Sequence, residues 1–433
     1  MKRLFLILTL LLALACMLVA CDNEETVDDD HIHTYGEWSV NTLATCVTKG
    51  EEKRTCTCGE SETREVEATG KHNYGNWNVT SAATCVAKGV ETRICACGAS
   101  EMREIEAKGH RYGTDNTCLN CQTAIVYTEG LEYILNGDQN SYTVAVGSAT
   151  SVANIVIPPY HEGKPVTAIR DYAFRHCISL TAIEIPACVT SIGARAFEYC
   201  EFLASIEIPA SVSVIGEYAF SCCTSLAIIN IPAATTFIAS SAFWECTALT
   251  GVYISDIAAW CNIVCGDPFS NPLHFAENLY LSNILVTNLV IPSTVNTIRK
   301  YAFENCTSIM SVTFENIDSS QLTSIEDRAF RNCPSLVSLE MPESVTSIGD
   351  GVFLFCTSLS TIAIPSGVTA IGERAFLNCT ALMSVTFAET SGWSAEDSDA
   401  VSSVELPATA LADPTTAATY LKSTYLGYCW KRT

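Results

Sequence analysis

A mainly β solenoid of short stacked coils is the fold this sequence predicts, and three observations predict it. An Ala-Phe pair recurs at 173/174, 196/197, 219/220, 242/243, 302/303, 329/330 and 375/376, with Val352-Phe353 as a variant. A cysteine follows each pair, at 177, 200, 223, 246, 306, 333, 356 and 379. The steps between these cysteines are 23, 23, 23, 60, 27, 23 and 23 residues. A fixed period in this range marks a stacked-repeat architecture and outranks local helix or strand preferences.

One copy, "LTAIEIPACVTSIGARAFEYC" from Leu180 to Cys200, shows how a coil is built. Leu180, Ile183 and Ile185 give a short strand with inward aliphatic residues, and Pro186, which has no N–H, ends its ladder. Val189 and Ile192 return the chain on the other side, and Gly193 is expected to permit a sharp bend. Ala196, Phe197 and Cys200 plug the interior. A single coil leaves its upper and lower surfaces bare, and stacking identical coils buries them while neighbouring strands pair at about 4.8 Å.

The pattern Cys-x-x-Leu-x-x-Ile-x-Ile-Pro-x-x-Val-x-x-Ile-Gly-x-x-Ala-Phe resembles the BspA-like class of leucine-rich repeats, over roughly Ile155 to Phe387. The resemblance implies a right-handed leucine-rich-repeat solenoid, here assigned to residues 155–390, and binding to host extracellular or cell-surface proteins. Departures occur where Ala239, Arg299 and Glu326 replace the usual Gly and where "ENIDSSQ" at 315–321 inserts four residues. The 60-residue step holds an elaborated unit, 256–292, in which Asn283 suggests a hairpin before the array resumes at Val290.

Earlier in the chain, Lys2 and Arg3 precede an almost wholly apolar run from Leu4 to Met17, then "LVAC" ending at Cys21. A bare membrane anchor needs about 18 or more apolar residues and no terminal Cys. The segment resembles a bacterial lipobox, implying a signal peptide over 1–20, acylation of Cys21 and a lipid-anchored, extracytoplasmic location. Six acids in residues 22–30 make 21–30 an acidic tether.

A second repeat fills residues 31–125. "HTYGEWSVNTLATCVTKGEEKRTCTCG" from His33 returns 39 residues later as "HNYGNWNVTSAATCVAKGVETRICACG" from His72, and a shortened third copy starts at His110. Alternation in "REVEA" and "REIEA" reads as short antiparallel strands. Modules this small need a staple. Each full copy supplies one His and three Cys: His33, Cys46, Cys56 and Cys58, then His72, Cys85, Cys95 and Cys97; His110, Cys118 and Cys121 follow. That is the ligand count of a tetrahedral Cys3His structural zinc site. Against it, Cys-x-Cys is tighter than the usual ligand spacing, and eight cysteines between Cys46 and Cys121 in an exported chain can equally pair as disulfides. The Trp and Tyr after each His read as small-core packing.

The ends of the array look sealed. "LEYILNGDQNSYTVAV" alternates around Asn136-Gly137 as an N-terminal hairpin within 126–154. Within 391–433, Asp413 and Pro414 open a helix through "TTAATYLKSTYLGYCW", with Leu421, Tyr425 and Tyr428 on one face.

The composition narrows the function. Hydrophobic content of 48% against 16% charged residues excludes a disordered chain. With 24 Lys+Arg against 47 Asp+Glu, the net charge of −23 repels nucleic-acid phosphates. The sequence holds no Gly-x-Ser-x-Gly, His-Glu-x-x-His, Walker A or Gly-x-Gly-x-x-Gly signature, and His161, His176 and His274 sit in no nucleophile pattern. The array cysteines read as buried thiols, with Cys222, Cys223, Cys261 and Cys265 the better candidates for oxidation. The reading is therefore a non-enzymatic surface protein for adhesion or protein recognition. Its candidate face is the outward column Glu184, Glu207, Asn230 and Tyr253, and the alternatives are an envelope spacer or a Cys- or zinc-dependent enzyme.

Overall fold

The computed structural model describes residues 34–397 and 402–433. The leader, Cys21, the acidic tether and His33 lie outside the described residues. The chain divides into two compact units, 1–109 and 110–433.

In the first unit each full copy of the 39-residue repeat is a three-stranded antiparallel sheet. Ser39–Thr42, Gly50–Thr55 and Ser61–Val66 form one. Asn78–Ser81, Gly89–Ile94 and Ser100–Ile105 form the other. Neither sheet has an apolar core: among the described residues of this unit the buried hydrophobic ones are Cys56, Ala83, Cys85 and Cys95. Packing instead centres on the tryptophans. The Arg93 and Arg103 guanidinium groups lie 4.7 Å and 4.4 Å from the centre of the Trp77 ring, and those of Arg54 and Arg64 lie 4.7 Å and 4.5 Å from that of Trp38. The arginines pair across the strands with Glu101, Glu91, Glu62 and Glu52. Small-core packing by the aromatic residues is therefore cation–π packing, worth roughly 0.5–2 kcal/mol per contact.

In the second unit the coils stack as their period requires. The front strand of one coil, such as Ala182–Glu184, and the back strand, such as Ser191–Ile192, both join parallel ladders. The back ladder pairs Ala168, Ser191, Val214, Phe237 and Val264 in register, so the returning segment is a second sheet as well as a connection. Between the two, the Ala-Phe segment winds through a run of turns whose alternate amides bond to the next coil: Arg195, Phe197 and Tyr199 donate to the carbonyls of Glu217, Ala219 and Ser221.

Inside, the phenylalanines form two files. Phe174, Phe197, Phe220 and Phe243 stack with centroids 5.3 Å apart at each step, and Phe303, Phe330, Phe353 and Phe376 follow at 5.2, 6.0 and 5.2 Å. All eight rings are fully buried. The array cysteines stay thiols, and their role is specific. Cys200 Sγ donates to the Phe174 carbonyl at 3.1 Å, and Cys223, Cys246, Cys333, Cys356 and Cys379 repeat the bond to Phe197, Phe220, Phe303, Phe330 and Phe353. Cys222, Cys261 and Cys265 are likewise thiols.

Gly193 serves contact rather than bending. Its φ is not in the left-handed region, yet a Cβ there would stand 2.5 Å from the Asp171 amide nitrogen of the preceding coil. The left-handed positions are taken by residues such as Arg195 and Tyr199, at φ 54° and 60°.

The elaborated unit interrupts both parallel ladders, while the buried core runs on through it. It contains helices Ile257–Cys261 and Leu273–Ala276, and Leu279–Leu281 pairs with Ile284–Leu285 through Ser282 and Asn283, both at positive φ. Trp260 Nε1 donates to the Ala302 carbonyl at 2.8 Å and the Arg299 amide to the Cys261 carbonyl at 3.1 Å, tying the unit to the coils that follow.

Both array ends are covered. Glu132–Leu135 and Tyr142–Ala145 form the N-terminal hairpin, closed by Asn136–Ser141 rather than by a two-residue Asn-Gly turn. At the other end Asp413 caps Pro414–Thr419, accepting from the Thr416 amide at 2.7 Å, and the helix ends with a wider turn at Tyr420–Thr424. Beyond it the expected helix gives way to a strand, Cys429–Arg432, because Trp430 is buried against Phe387 and Trp393 while the backbone pairs antiparallel with Ala370–Ile371.

Candidate interaction face and Cys/His clusters

The four face residues fall on consecutive coils, but they do not form one patch: the strand ending at Glu184 belongs to a separate ladder from Ser205–Ile206, Ile228–Asn230 and Gly251–Ile254. Glu207, Asn230 and Tyr253 line a groove of about 800 Å³ together with Ser255, Ser282 and Asn283. Glu184 lies in a separate depression of about 410 Å³ beside Tyr112 and Tyr160. The sequence reading missed Tyr280, which pairs in register with Tyr253 and stacks on it at 4.5 Å, 7° from parallel. The elaborated unit supplies that tyrosine and the Ser282-Asn283 rim, so the groove forms where the regular period breaks. A signal was present, a Tyr 27 residues after Tyr253. On the back ladder, Val214, Phe237 and Val264 form a partly exposed apolar column, also unremarked in the sequence.

The three solenoid histidines named from the sequence each meet an aromatic ring or an amide. His161 stacks on Tyr133 at 3.9 Å, His176 on Tyr199 at 4.6 Å, and His274 Nδ1 meets Asn305 Nδ2 at 3.2 Å. Burial pushes the Cys200 thiol up to about 12 and Cys306 up to about 11, away from thiolate chemistry. The buried Glu198 carboxylate is held by Arg175 and, at 2.9 Å, by Arg195.

The Cys/His residues group differently from their order in the chain. Cys46 of the first copy meets His72, Cys95 and Cys97 of the second, with the four ligand atoms all within 4.8 Å of one another. Cys46 Sγ stands 3.7 Å from Cys95 Sγ, and His72 Nδ1 stands 3.2 Å from Cys97 Sγ. The expectation of one His and three Cys from a single copy thus gives way to sharing between copies, with Cys46 carried on the Thr45–Thr48 turn between the first two strands of its sheet. The linker returns to that turn, where the Thr69 amide donates to the Thr45 carbonyl at 2.9 Å. The Cys97 amide, donating to the Cys95 sulfur, and then the His72 ring draw the Cys95 thiol down to about 6. Cys46, hydrogen-bonded to the Cys97 sulfur, is held up at about 11. Such a set can hold a metal ion. In the second unit His110 Nδ1 lies 3.4 Å from Cys121 Sγ. Burial opposes ionisation of Cys118, but the amides of Cys121 and Asn120 and the His110 ring outweigh it and bring that thiol to about 5.

The coil pattern decides the family. Residues 148–262 and 275–392 match the BspA type leucine rich repeat region in six copies, over half of the chain. The chain belongs to the BspA-type leucine-rich-repeat family. A comparison with curated proteins returns no match. Among solved structures, this BspA-type chain is similar to a leucine-rich-repeat protein of T. pallidum at 20% identity and a TM-score of 0.30, over 59% of this chain and 90% of that one. It is also similar to a leucine-rich cell surface protein of Faecalibacterium prausnitzii at 23% identity and a TM-score of 0.26, over 62% and 96%. The pneumococcal vaccine antigen PcpA is 16% identical with a TM-score of 0.35, over 62% and 82%. The BspA-type repeats make this chain a scaffold of the kind that presents extended surfaces to other proteins.

Proposed function

We propose that this protein is a non-enzymatic, lipid-anchored bacterial surface protein that recognises a partner protein, host or extracellular, along the front ladder of its solenoid. The observation that carries the reading is the groove over Glu207, Asn230 and Tyr253, where the stacked Tyr253–Tyr280 pair stands beside hydroxyl and amide groups on a rigid ladder. Partly exposed aromatic rings edged by polar groups are the composition of protein-binding hot spots. The lipobox-like leader and acidic tether support anchoring through Cys21, with the array held away from the membrane.

Intact cells treated with external protease test outward display, and the array should be cleaved without lysis. Immobilised protein should then capture a partner from host matrix extract, and Tyr253→Ala with Tyr280→Ala should abolish the capture. Array resistant to protease, or capture confined to the cell's own envelope extract, would favour a spacer within the envelope. Cys21→Ala should move the protein out of the detergent phase.

A further inference from the structure

We infer that Cys46, His72, Cys95 and Cys97 bind one zinc ion, and that this ion clips the first module to the second. Three observations converge on it. A tetrahedral zinc with Zn–S of about 2.3 Å and Zn–N of about 2.0 Å sets S···S edges near 3.7 Å and S···N edges near 3.5 Å. The four ligand atoms sit at that scale, with 3.7 Å between Cys46 Sγ and Cys95 Sγ and 3.2 Å between His72 Nδ1 and Cys97 Sγ. Thiolates with one imidazole are also the donor set zinc favours.

The chemistry of the alternatives is less suited to this cluster. Three sulfurs around one imidazole can form a single disulfide, which leaves a lone thiol and gives the ring no role. The remaining observation is the missing core: among the described residues of this unit, three of the four buried hydrophobic ones are cysteines, and the fourth is Ala83. Val40, Leu43, Val47, Val79, Ile94 and Met102 are all exposed. Sheets with so little apolar burial need a cross-link, and a metal shared between copies holds both with one ion. All four vertices come from protein, so the site is closed and structural, with no open position for a reacting water. The clip makes the first module depend on the second, just as each coil of the solenoid needs its neighbour.

The test counts metal in the full chain, purified in detergent, by plasma mass spectrometry. Cys46→Ser and Cys97→Ser should each lose one zinc per chain, and the double variant should also lose one, because both residues serve the same ion. Loss of two by the double variant would overturn the inference in favour of sites within single copies. Full zinc retention in the single variants, or a zinc-free wild-type chain with Cys46 in a mapped disulfide, would overturn it outright. Cys46→His guards against a folding artefact: it returns a ligand and should restore the ion. Its cobalt-substituted form should show weaker sulfur-to-metal charge transfer than wild type, in proportion to the lost thiolate.

Discussion

The two repeats of this molecule solve one problem by opposite means. In the solenoid each 23-residue coil has a greasy top and bottom, and the next coil covers them with a Phe-on-Phe file, paired backbones and a thiol-to-carbonyl bond. In the 39-residue modules the apolar side chains are few and mostly left exposed, so arginines packed on a tryptophan hold each sheet, and a Cys/His cluster gathers residues from two copies. The glycines show the same contrast. Gly216 is required for space, since a Cβ would stand 2.5 Å from the Ala194 amide nitrogen of the coil before it. Gly98 is required for conformation, with φ +90° and nothing within 4 Å. Repetition therefore stabilises a chain either by hiding surface between copies or by sharing ligands between them.

Alkaline pH should separate the two regions most. The array thiols are neutral in the fold, and burial holds Cys200 at about 12 and Cys306 at about 11. The unfolded chain releases those protons nearer pH 9, so between about pH 9 and 12 the folded state binds more protons and loses stability as pH rises, by about 1.4 kcal/mol per unit for each such thiol. Unfolding of the solenoid followed by circular dichroism should set in across that window, and Cys200→Ala should move its onset upward. No movement would mean that other groups govern alkaline unfolding.

Truncating an aromatic in each repeat sharpens the comparison next. Phe220→Ala opens a cavity in the file and should cost about 3–5 kcal/mol in urea titrations. Trp77→Ala removes a half-buried ring between two arginines and should cost about 1–2 kcal/mol. Similar losses for the two would erase the distinction between hidden surface and cation–π packing. Gly216→Ala should follow at about 1–3 kcal/mol, since the opposing atoms are backbone and cannot turn aside. Gly98→Ala should cost about 1 kcal/mol or less, from left-handed backbone strain alone. The thiol bond should give an effect between those of the two glycines. Cys223→Ala removes the second donor to the Phe197 carbonyl, which keeps the Cys200 amide at 3.1 Å, and should cost about 0.5–1.5 kcal/mol, whereas Cys223→Ser keeps a donor and should cost less despite its poorer burial. If Ser proved worse than Ala, packing rather than the bond would explain the cysteine.

Much of the fold was legible because the coil is a local object. Alternation around Ile183 names the inward residues, Pro186 the strand end, and the Ala-Phe period the stacking, and all of these operate within one repeat. What escaped was set between repeats. Gly193 reads as a bend in its own coil and becomes a contact only against Asp171. Cys200 reads as a filler until the Phe174 carbonyl is placed 3.1 Å away. The face column reads as four equal positions until the elaborated unit brings Tyr280 onto Tyr253 and leaves Glu184 in another depression. The end of the C-terminal helix was hidden for the same reason: Trp430 has a partner only once the last coil exists.

The sequence by itself determined the period, the inward residues of every coil and the ligand types in the modules, because side-chain chemistry and spacing are written in the chain. Tertiary structure alone decided which copies share a cluster, which tyrosines meet and which carbonyl each thiol reaches. Those outcomes depend on the offset between one copy and the next, and that offset follows from the summed packing of all the turns between them.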